Sequence, residues 1–170
     1  MSETVEGARA LVTGGSRGIG FAVASMLHRE GATVYIVGRD RERLERASRA
    51  IAAGERREPG ESWRAQTPAL PKGAPLPLPA DLSDPAECRR LAEEFPESSL
   101  DILVNNAGVA RNMPLEKTSD EDWAFHFRVN VEAPFRLMRD LLPRLRKGTN
   151  PAVVNMGSVV STKGYVNQGA

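Results

Sequence analysis

"TGGSRGIG", Thr13 to Gly20, follows the short apolar run Ala10-Leu11-Val12 and leads into Ile19, Val23 and Leu27, which recur at helical spacing. An apolar strand running into a glycine cluster and then a helix predicts a strand–turn–helix junction. In such a junction Gly14 lets the strand turn sharply and Gly18 lets backbone amides approach a pyrophosphate. Gly20 lets the helix pack on the strand. The helix N-terminus adds positive partial charge and open amides. A glycine-rich turn alone says little. Placed inside a βαβ unit, it predicts a dinucleotide site on Gly14, Ser16, Arg17, Gly18, Ile19 and Gly20.

Outward from this loop the pattern stays that of alternating strands and helices. Gly31 ends the first helix, and "TVYIV" (Thr33 to Val37) is β-branched and aromatic, as a second strand requires. Asp40 is placed to cap a helix with Leu44, Ala47 and Ile51 on one face. Short connections make this a parallel, right-handed βαβα opening. The stretch from Glu55 to Pro79 breaks the pattern with Pro59, Pro68, Pro71, Pro75, Pro77 and Pro79. Proline cannot donate to a ladder, so a disordered surface loop is expected over about 55–79, with "PLPLPADL" returning as a poor edge strand. Trp63 in this loop is expected in solvated linker, with partner docking as the alternative.

Order resumes at Asp84-Pro85-Ala86-Glu87, a capping aspartate, a first-turn proline and a glutamate reaching back. Leu100 to Val104 is a further strand ending in "NNAG". Thr118 to Glu121 is predicted as a second capping box, opening a long helix through Trp123, Phe127, Val131, Phe135, Met138 and Leu142. "PAVVNMGS" is the next strand. The predicted fold is one doubly wound parallel α/β sheet, a Rossmann fold, across residues 1–170.

A chain of 170 residues suffices for one domain with a real core. The net charge of +1 and the lack of a basic run give no reason to expect nucleic acid. No apolar run approaches the roughly 18 residues a membrane helix needs, and "ARALVTGG" leaves no room for a signal peptide. The single cysteine, Cys88, forms no internal disulfide, which fits a reducing compartment. A soluble cytoplasmic protein is expected. Arg89 and Arg90 flank Cys88, but an ordinary helix cysteine is expected there. His28 and His126 share no metal-ligand spacing and are expected to be structural, so no metal site is predicted.

The second strand ends in Gly38-Arg39-Asp40. An acidic residue at that tip would hydrogen-bond both ribose hydroxyls of NAD. Here Arg39, together with Arg17, could clamp a 2′-phosphate, which favours NADP(H). The alternative keeps both arginines in solvent and makes Asp40 the ribose ligand of an NAD enzyme.

These motifs, in this order, resemble the short-chain dehydrogenase/reductase family over most of the chain, in particular its 3-oxoacyl-carrier-protein reductase and tropinone reductase members. "TGGSRGIG" resembles the family's glycine loop, and Asp81-Leu82 its acidic dipeptide against adenine. Asn105-Asn106-Ala107-Gly108 resembles the motif along the cofactor ribose. Asn130 in "VNVEAPF" matches the family's helix asparagine, and Ser158 in "NMGSVVS" its catalytic serine. The resemblance implies hydride transfer between the nicotinamide and a carbonyl or alcohol carbon of a small molecule. It implies that Ser158 stabilises charge on the substrate oxygen and that Asn130 holds a water of a proton relay. It implies a homodimer or homotetramer for the complete protein.

One family feature is missing. The acid/base tyrosine and its lysine should appear as Tyr-x-x-x-Lys about thirteen residues past the serine. Tyr165 is too close to Ser158, Gly169 stands where lysine should, and Lys163 precedes the tyrosine. The expected position falls just after Ala170. The sequence therefore predicts the N-terminal part of an NADP(H)-dependent reductase, without its last strands and helices and inactive on its own. A non-catalytic nucleotide-binding fragment or partner subunit, and an unstable product, are the alternatives.

Overall fold

Strands buried on both faces need an unbroken apolar run through their middle, and the first two strands have one. In β1 (Arg9–Thr13), Ala10 and Val12 enter one core and Leu11 the other; in β2 (Thr33–Gly38), Val34 and Ile36 part from Tyr35 and Val37 in the same way. The computed structural model describes residues 4–55, 70 and 72–159. Among these, β1 and β2 join β3 (Leu76–Pro79), β4 (Ile102–Asn105) and β5 (Ala152–Asn155) in one parallel sheet of order β3-β2-β1-β4-β5.

Helices α1 (Gly18–Arg29) and α2 (Arg41–Ala52) cover one face, and α3 (Pro85–Glu93) and α5 (Ala133–Leu145) cover the other. The expected doubly wound sheet is what forms. The strand order reverses between β1 and β4, and their carboxyl ends open a crevice there, the usual ligand position in such sheets.

The predicted Asp40 cap forms, with its carboxylate accepting the Arg43 N–H at 3.0 Å, and Leu44, Ala47 and Ile51 are buried. Gly31 takes φ +89° and ends α1, with Ala32 N–H returning to Leu27 O at 3.0 Å. The predicted line on α1 holds at Leu27 and, in part, at Val23, but not at its first residue. Ile19 is 62% exposed, and Gly20, Phe21, Ala24 and Leu27 face the sheet.

Two capping details also differ. Asp84 caps α3 through the Ala86 N–H at 2.8 Å, but Glu87 does not reach back to it. The Asp84 N–H is already held by Asp81 O at 3.0 Å, and both Glu87 oxygens are taken by Arg90 at 2.9 and 2.8 Å. At α4 (Asp120–Phe127) the cap is Ser119 and not Thr118. The Ser119 hydroxyl accepts the Asp122 N–H at 3.1 Å and donates to its carboxylate at 2.7 Å, while Thr118 donates to Pro114 O and closes the preceding turn.

"PLPLPADL" does return as a strand, β3, which among the described residues is an edge paired with β2. Residues 56–69 and 71 of the proline-rich stretch, with Trp63, lie outside the described residues, as do Lys163 and Tyr165. At the other edge among the described residues is β5, where Val153 and Val154 are exposed, as is Met156 just past its end. No described helix is long and apolar enough to cross a membrane. Cys88 is fully buried, and burial pushes its thiol above the ordinary value, so its arginine neighbours do not activate it.

Candidate functional site

The glycine loop lies at the carboxyl end of β1, against the start of the segment that follows β4. Gly14 has φ +66°, and its N–H bonds Val37 O at 2.8 Å, which turns the chain over the end of β2. Gly20 admits the closest approach in the molecule's upper rim. A Cβ there would come within 2.8 Å of the Gly14 carbonyl carbon and closer still to its oxygen and to Asn106 Nδ2.

Thr13 is the hub of this junction, and nothing in the sequence pattern marked it beyond its place before the glycines. Buried to 1% exposure, its hydroxyl donates to Val104 O at 3.2 Å and accepts from the Asn106 and Ala107 N–H groups, each at 2.9 Å. Asn106 returns a bond from Nδ2 to Thr13 O at 2.9 Å. Thr13→Val keeps the shape and leaves two amide donors without their acceptor. It is expected to lower stability by about 2 kcal/mol, measured by urea denaturation. An unchanged midpoint would show that the hub carries no weight.

Helices α2, α3 and α4 are capped by Asp40, Asp84 and Ser119, but among the described residues no side chain caps α1, where Arg17 stands in the cap position. The amides of the Gly18-Ile19-Gly20 turn thus face the rim without a side-chain oxygen competing for them. A Cβ on Gly18 would project into open space. Arg17 and Ile19 are exposed there. The register Thr13↔Val37 sets the glycine loop beside the tip of β2, where Arg39 is exposed and Ser16 Oγ lies 3.9 Å from where a Gly38 Cβ would stand. Asp40, by contrast, is engaged as the α2 cap, and the Arg43 N–H holds its carboxyl below the usual carboxylate range.

Past β3, Asp81 folds one carboxylate oxygen onto Ser83, accepting from its N–H at 2.9 Å and its hydroxyl at 2.8 Å. Leu82 is buried in the core, and its carbonyl accepts from the Cys88 thiol at 3.5 Å.

On the other side of the crevice, Ala107 is half-buried and a Cβ on Gly108 would stand 3.4 Å from Asn130 Oδ1. Asn130 lies in a π turn, Arg128–Glu132, between α4 and α5. Pro134, four residues on, has no N–H for the Asn130 carbonyl, so an α-helical bond is lost at that step. The turn widens, and Ala133 N–H reaches back five residues to Arg128 O. The Asn130 side chain grips the Val109 backbone at both ends: Val109 N–H donates to Oδ1 and Nδ2 donates to Val109 O, each at 2.9 Å. Its amide is therefore used to hold the loop after β4.

His126 assists at the next step of that loop. Its Nε2 accepts the Arg111 N–H at 2.9 Å, so Nδ1 carries the proton toward Asp122 O at 2.6 Å. The Arg111 guanidinium pairs with Asp122 and lies 4.5 Å from the Phe125 ring centroid. This histidine is structural, as the sequence predicts. Ser158 follows β5, whose end is tied to β4 by Asn105 Nδ2 on Asn155 Oδ1 at 2.8 Å and Met156 N–H on Asn105 O at 2.9 Å. Parallel strands bring Ser158, Asn106–Gly108 and the glycine loop to one rim.

A family model described as Enoyl-(Acyl carrier protein) reductase matches residues 14–170. The chain is 40% identical over 163 residues to the rhamnolipids biosynthesis 3-oxoacyl-(acyl-carrier-protein) reductase of Pseudomonas aeruginosa, covering 92% of this chain and 56% of that one. A metagenomic short-chain oxidoreductase solved in complex with NADP superposes with a TM-score of 0.81 at 28% identity, covering 98% of this chain and 69% of the other. The Pseudomonas aeruginosa RhlG/NADP active-site complex gives 0.78 at 34% identity, covering 99% and 62%. The chain spans 56, 59 and 60% of the length of three curated relatives that it matches.

Proposed function

We propose a function from one premise: the chain belongs to the short-chain dehydrogenase/reductase family. The 170 residues form an NADP(H)-binding unit, and the whole protein of which they are characteristic transfers a hydride between NADP(H) and a carbonyl or hydroxyl carbon. The observation that carries this reading is the uncapped N-terminus of α1, beside a strand tip that offers Arg39 while Asp40 is engaged in capping α2.

The residues fit the nucleotide. The turn through Gly14, Ser16, Arg17, Gly18, Ile19 and Gly20 supplies amides and a guanidinium to the phosphates. Arg39 takes the 2′-phosphate with Arg17. The open oxygen of Asp81 and the backbone of Leu82 face the adenine, and Asn106, Ala107 and Gly108 line the ribose. Bound there, the cofactor supplies the hydride chemistry. The related solved structures that contain NADP support NADP(H) over NAD(H).

Relatives carry names for reduction of both C=O and C=C bonds. Ser158 favours the carbonyl, because a hydroxyl donor is useful where negative charge grows on an oxygen. Asn130 is a positioning residue for the loop after β4, and the relay water falls to its main-chain carbonyl. The sequence holds no Tyr-x-x-x-Lys pattern, so the 170-residue chain is assigned nucleotide binding and turnover is assigned to the whole protein. Trp123, Phe127, Val131, Phe135 and Leu142 form an exposed apolar stripe along α4 and α5, which supports self-association through that face.

The test is titration of the chain with NADPH and NADH. Arg39→Ala is expected to weaken NADPH about 30-fold, the loss of a charge-assisted clamp, and to leave NADH within about twofold. Equal losses for both nucleotides would remove Arg39 from the 2′-phosphate. Absence of binding to either would overturn the reading.

A further inference from the structure

The outer edge of β3 shows a device that the cofactor assignments do not use. Ala80 N–H bonds Gly38 O at 3.0 Å, so in a strand of period two Leu76, Leu78 and Ala80 turn their backbone groups toward β2. Pro75, Pro77 and Pro79 turn theirs to the open edge, where proline has no N–H to leave unpaired. The outward carbonyls still need donors. The Ser48 hydroxyl of α2 bonds Pro75 O, and Arg90 Nη2 of α3 bonds Pro79 O at 2.9 Å.

Arg90 has carboxylate partners on both sides along α3, and it is Glu87 that shares the Nη2 group turned to Pro79. Glu87 grips it in a fork at 2.9 and 2.8 Å, and Glu94 takes Nη1 at 3.0 Å. The bond to Pro79 closes a loop across eleven residues, and the turn inside it carries its own hydrogen bonds. Asp81 accepts from Ser83, Asp81 O accepts the Asp84 N–H at 3.0 Å, and Asp84 caps α3. Ala80, the first residue inside the loop, is pinned to Gly38, the neighbour of Arg39.

We propose that Arg90 is a positioning residue for nucleotide binding: by latching Pro79 to α3 it fixes Asp81 and Leu82 in register with the tip of β2. The proposal rests on the NADP(H) reading above. Arg90 has its guanidinium engaged by Glu87, Glu94 and Pro79 O, and acts on the wall shared by both nucleotides. Its loss therefore weakens NADPH and NADH by the same factor, unlike the loss of Arg39.

The experiment is calorimetric titration of NADPH and NADH into wild type, Arg90→Met, Arg90→Lys and Glu94→Gln, with thermal melts of each. Arg90→Met is expected to weaken both nucleotides about tenfold. Arg90→Lys keeps the charge but cannot span Glu87 and Pro79 together, so a loss of about threefold is expected. Glu94→Gln removes one helix pair, leaves the Pro79 bond, and should leave both affinities unchanged. If both Arg90 variants lower the melting temperature yet bind as wild type, Arg90 is only a helix brace and the proposal is overturned. The same holds if Glu94→Gln weakens binding as much as Arg90→Met. Wild type that binds neither nucleotide overturns the underlying reading instead, and this proposal with it.

Discussion

Gly20→Ala is expected to abolish measurable NADPH binding, weakening it by more than about 100-fold, and to destabilise the fold by about 3 kcal/mol. The added methyl meets a backbone carbonyl and a bonded amide, neither of which is the loose end of a flexible chain. The Gly14 carbonyl belongs to a turn fixed by two N–H bonds to Val37 O, and Asn106 Nδ2 is anchored on Thr13 O. Relief requires moving α1 off β1, which also moves the amides proposed to hold the phosphates. Gly18→Ala separates the two effects. Its φ of +53° makes alanine strained, about 1 kcal/mol, but among the described residues its Cβ meets no atom within 4 Å beyond its own neighbours along the helix. Gly18→Ala is therefore expected to lose nucleotide binding while keeping most of its stability. Urea denaturation and NADPH titration of both variants check this; a Gly20→Ala protein with wild-type midpoint and affinity would refute the packing argument.

The parts of the fold legible in the sequence are those that depend on neighbours along the chain. The unbroken apolar runs of β1 and β2, the Asp40 and Asp84 caps and the glycine turn all follow from local chemistry. Where prediction slipped, it slipped by one residue. The spacing of Ile19, Val23 and Leu27 suits a helix, and Leu27 is buried with Val23 packed beside it, but Ile19 at the head of the line is exposed. What fixes the buried face is the contact of Gly20 with Gly14, a tertiary fact. Thr118 and Ser119 both make acceptable caps, and the choice falls to Ser119 because Thr118 is spent on Pro114.

The site divides in the same way. Its glycine loop, proposed to hold the phosphates, was legible because one contiguous stretch builds it. The roles of Thr13 and Arg90 were not, because each joins elements more than ten residues apart that only the sheet order brings together. The π turn at Asn130 had a signal, the proline four residues later, but helical periodicity alone conceals it. A strict four-residue step overshoots the 3.6 residues of an α turn, and the wider turn brings Phe127, Val131 and Phe135 back to one face.

The amino end of the sheet, opposite the proposed site, carries the second large effect. Asp101 is 2% exposed and joins three strands. Its carboxylate accepts the Arg9 N–H and Nε–H, each at 2.8 Å, and the Thr149 N–H at 2.6 Å. Its own backbone bonds Arg9 O at 2.9 Å and Ala152 N–H at 2.8 Å, so β1, β4 and the start of β5 meet on one residue. Burial pushes the Asp101 carboxyl up, but the Arg9 backbone and guanidinium and the Thr149 N–H outweigh it and hold the group below the usual carboxylate range. Asp101→Asn retains the size but presents an NH2 group to donors. The expected loss is about 3 kcal/mol at pH 7, with NADPH affinity unchanged at 20 °C under native conditions because the site lies at the other end of the strands. The pH dependence has a definite sign. A carboxyl depressed in the folded state contributes fully above its unfolded value, near 3.9, and the contribution is lost as pH falls through the lower folded value. The stability gap between wild type and Asp101→Asn is therefore expected to be full at pH 6 and to shrink below about pH 4. Urea denaturation of both proteins across that range measures it, and a gap that stays constant or widens in acid would show that the ionised carboxylate is not what ties the three strands together.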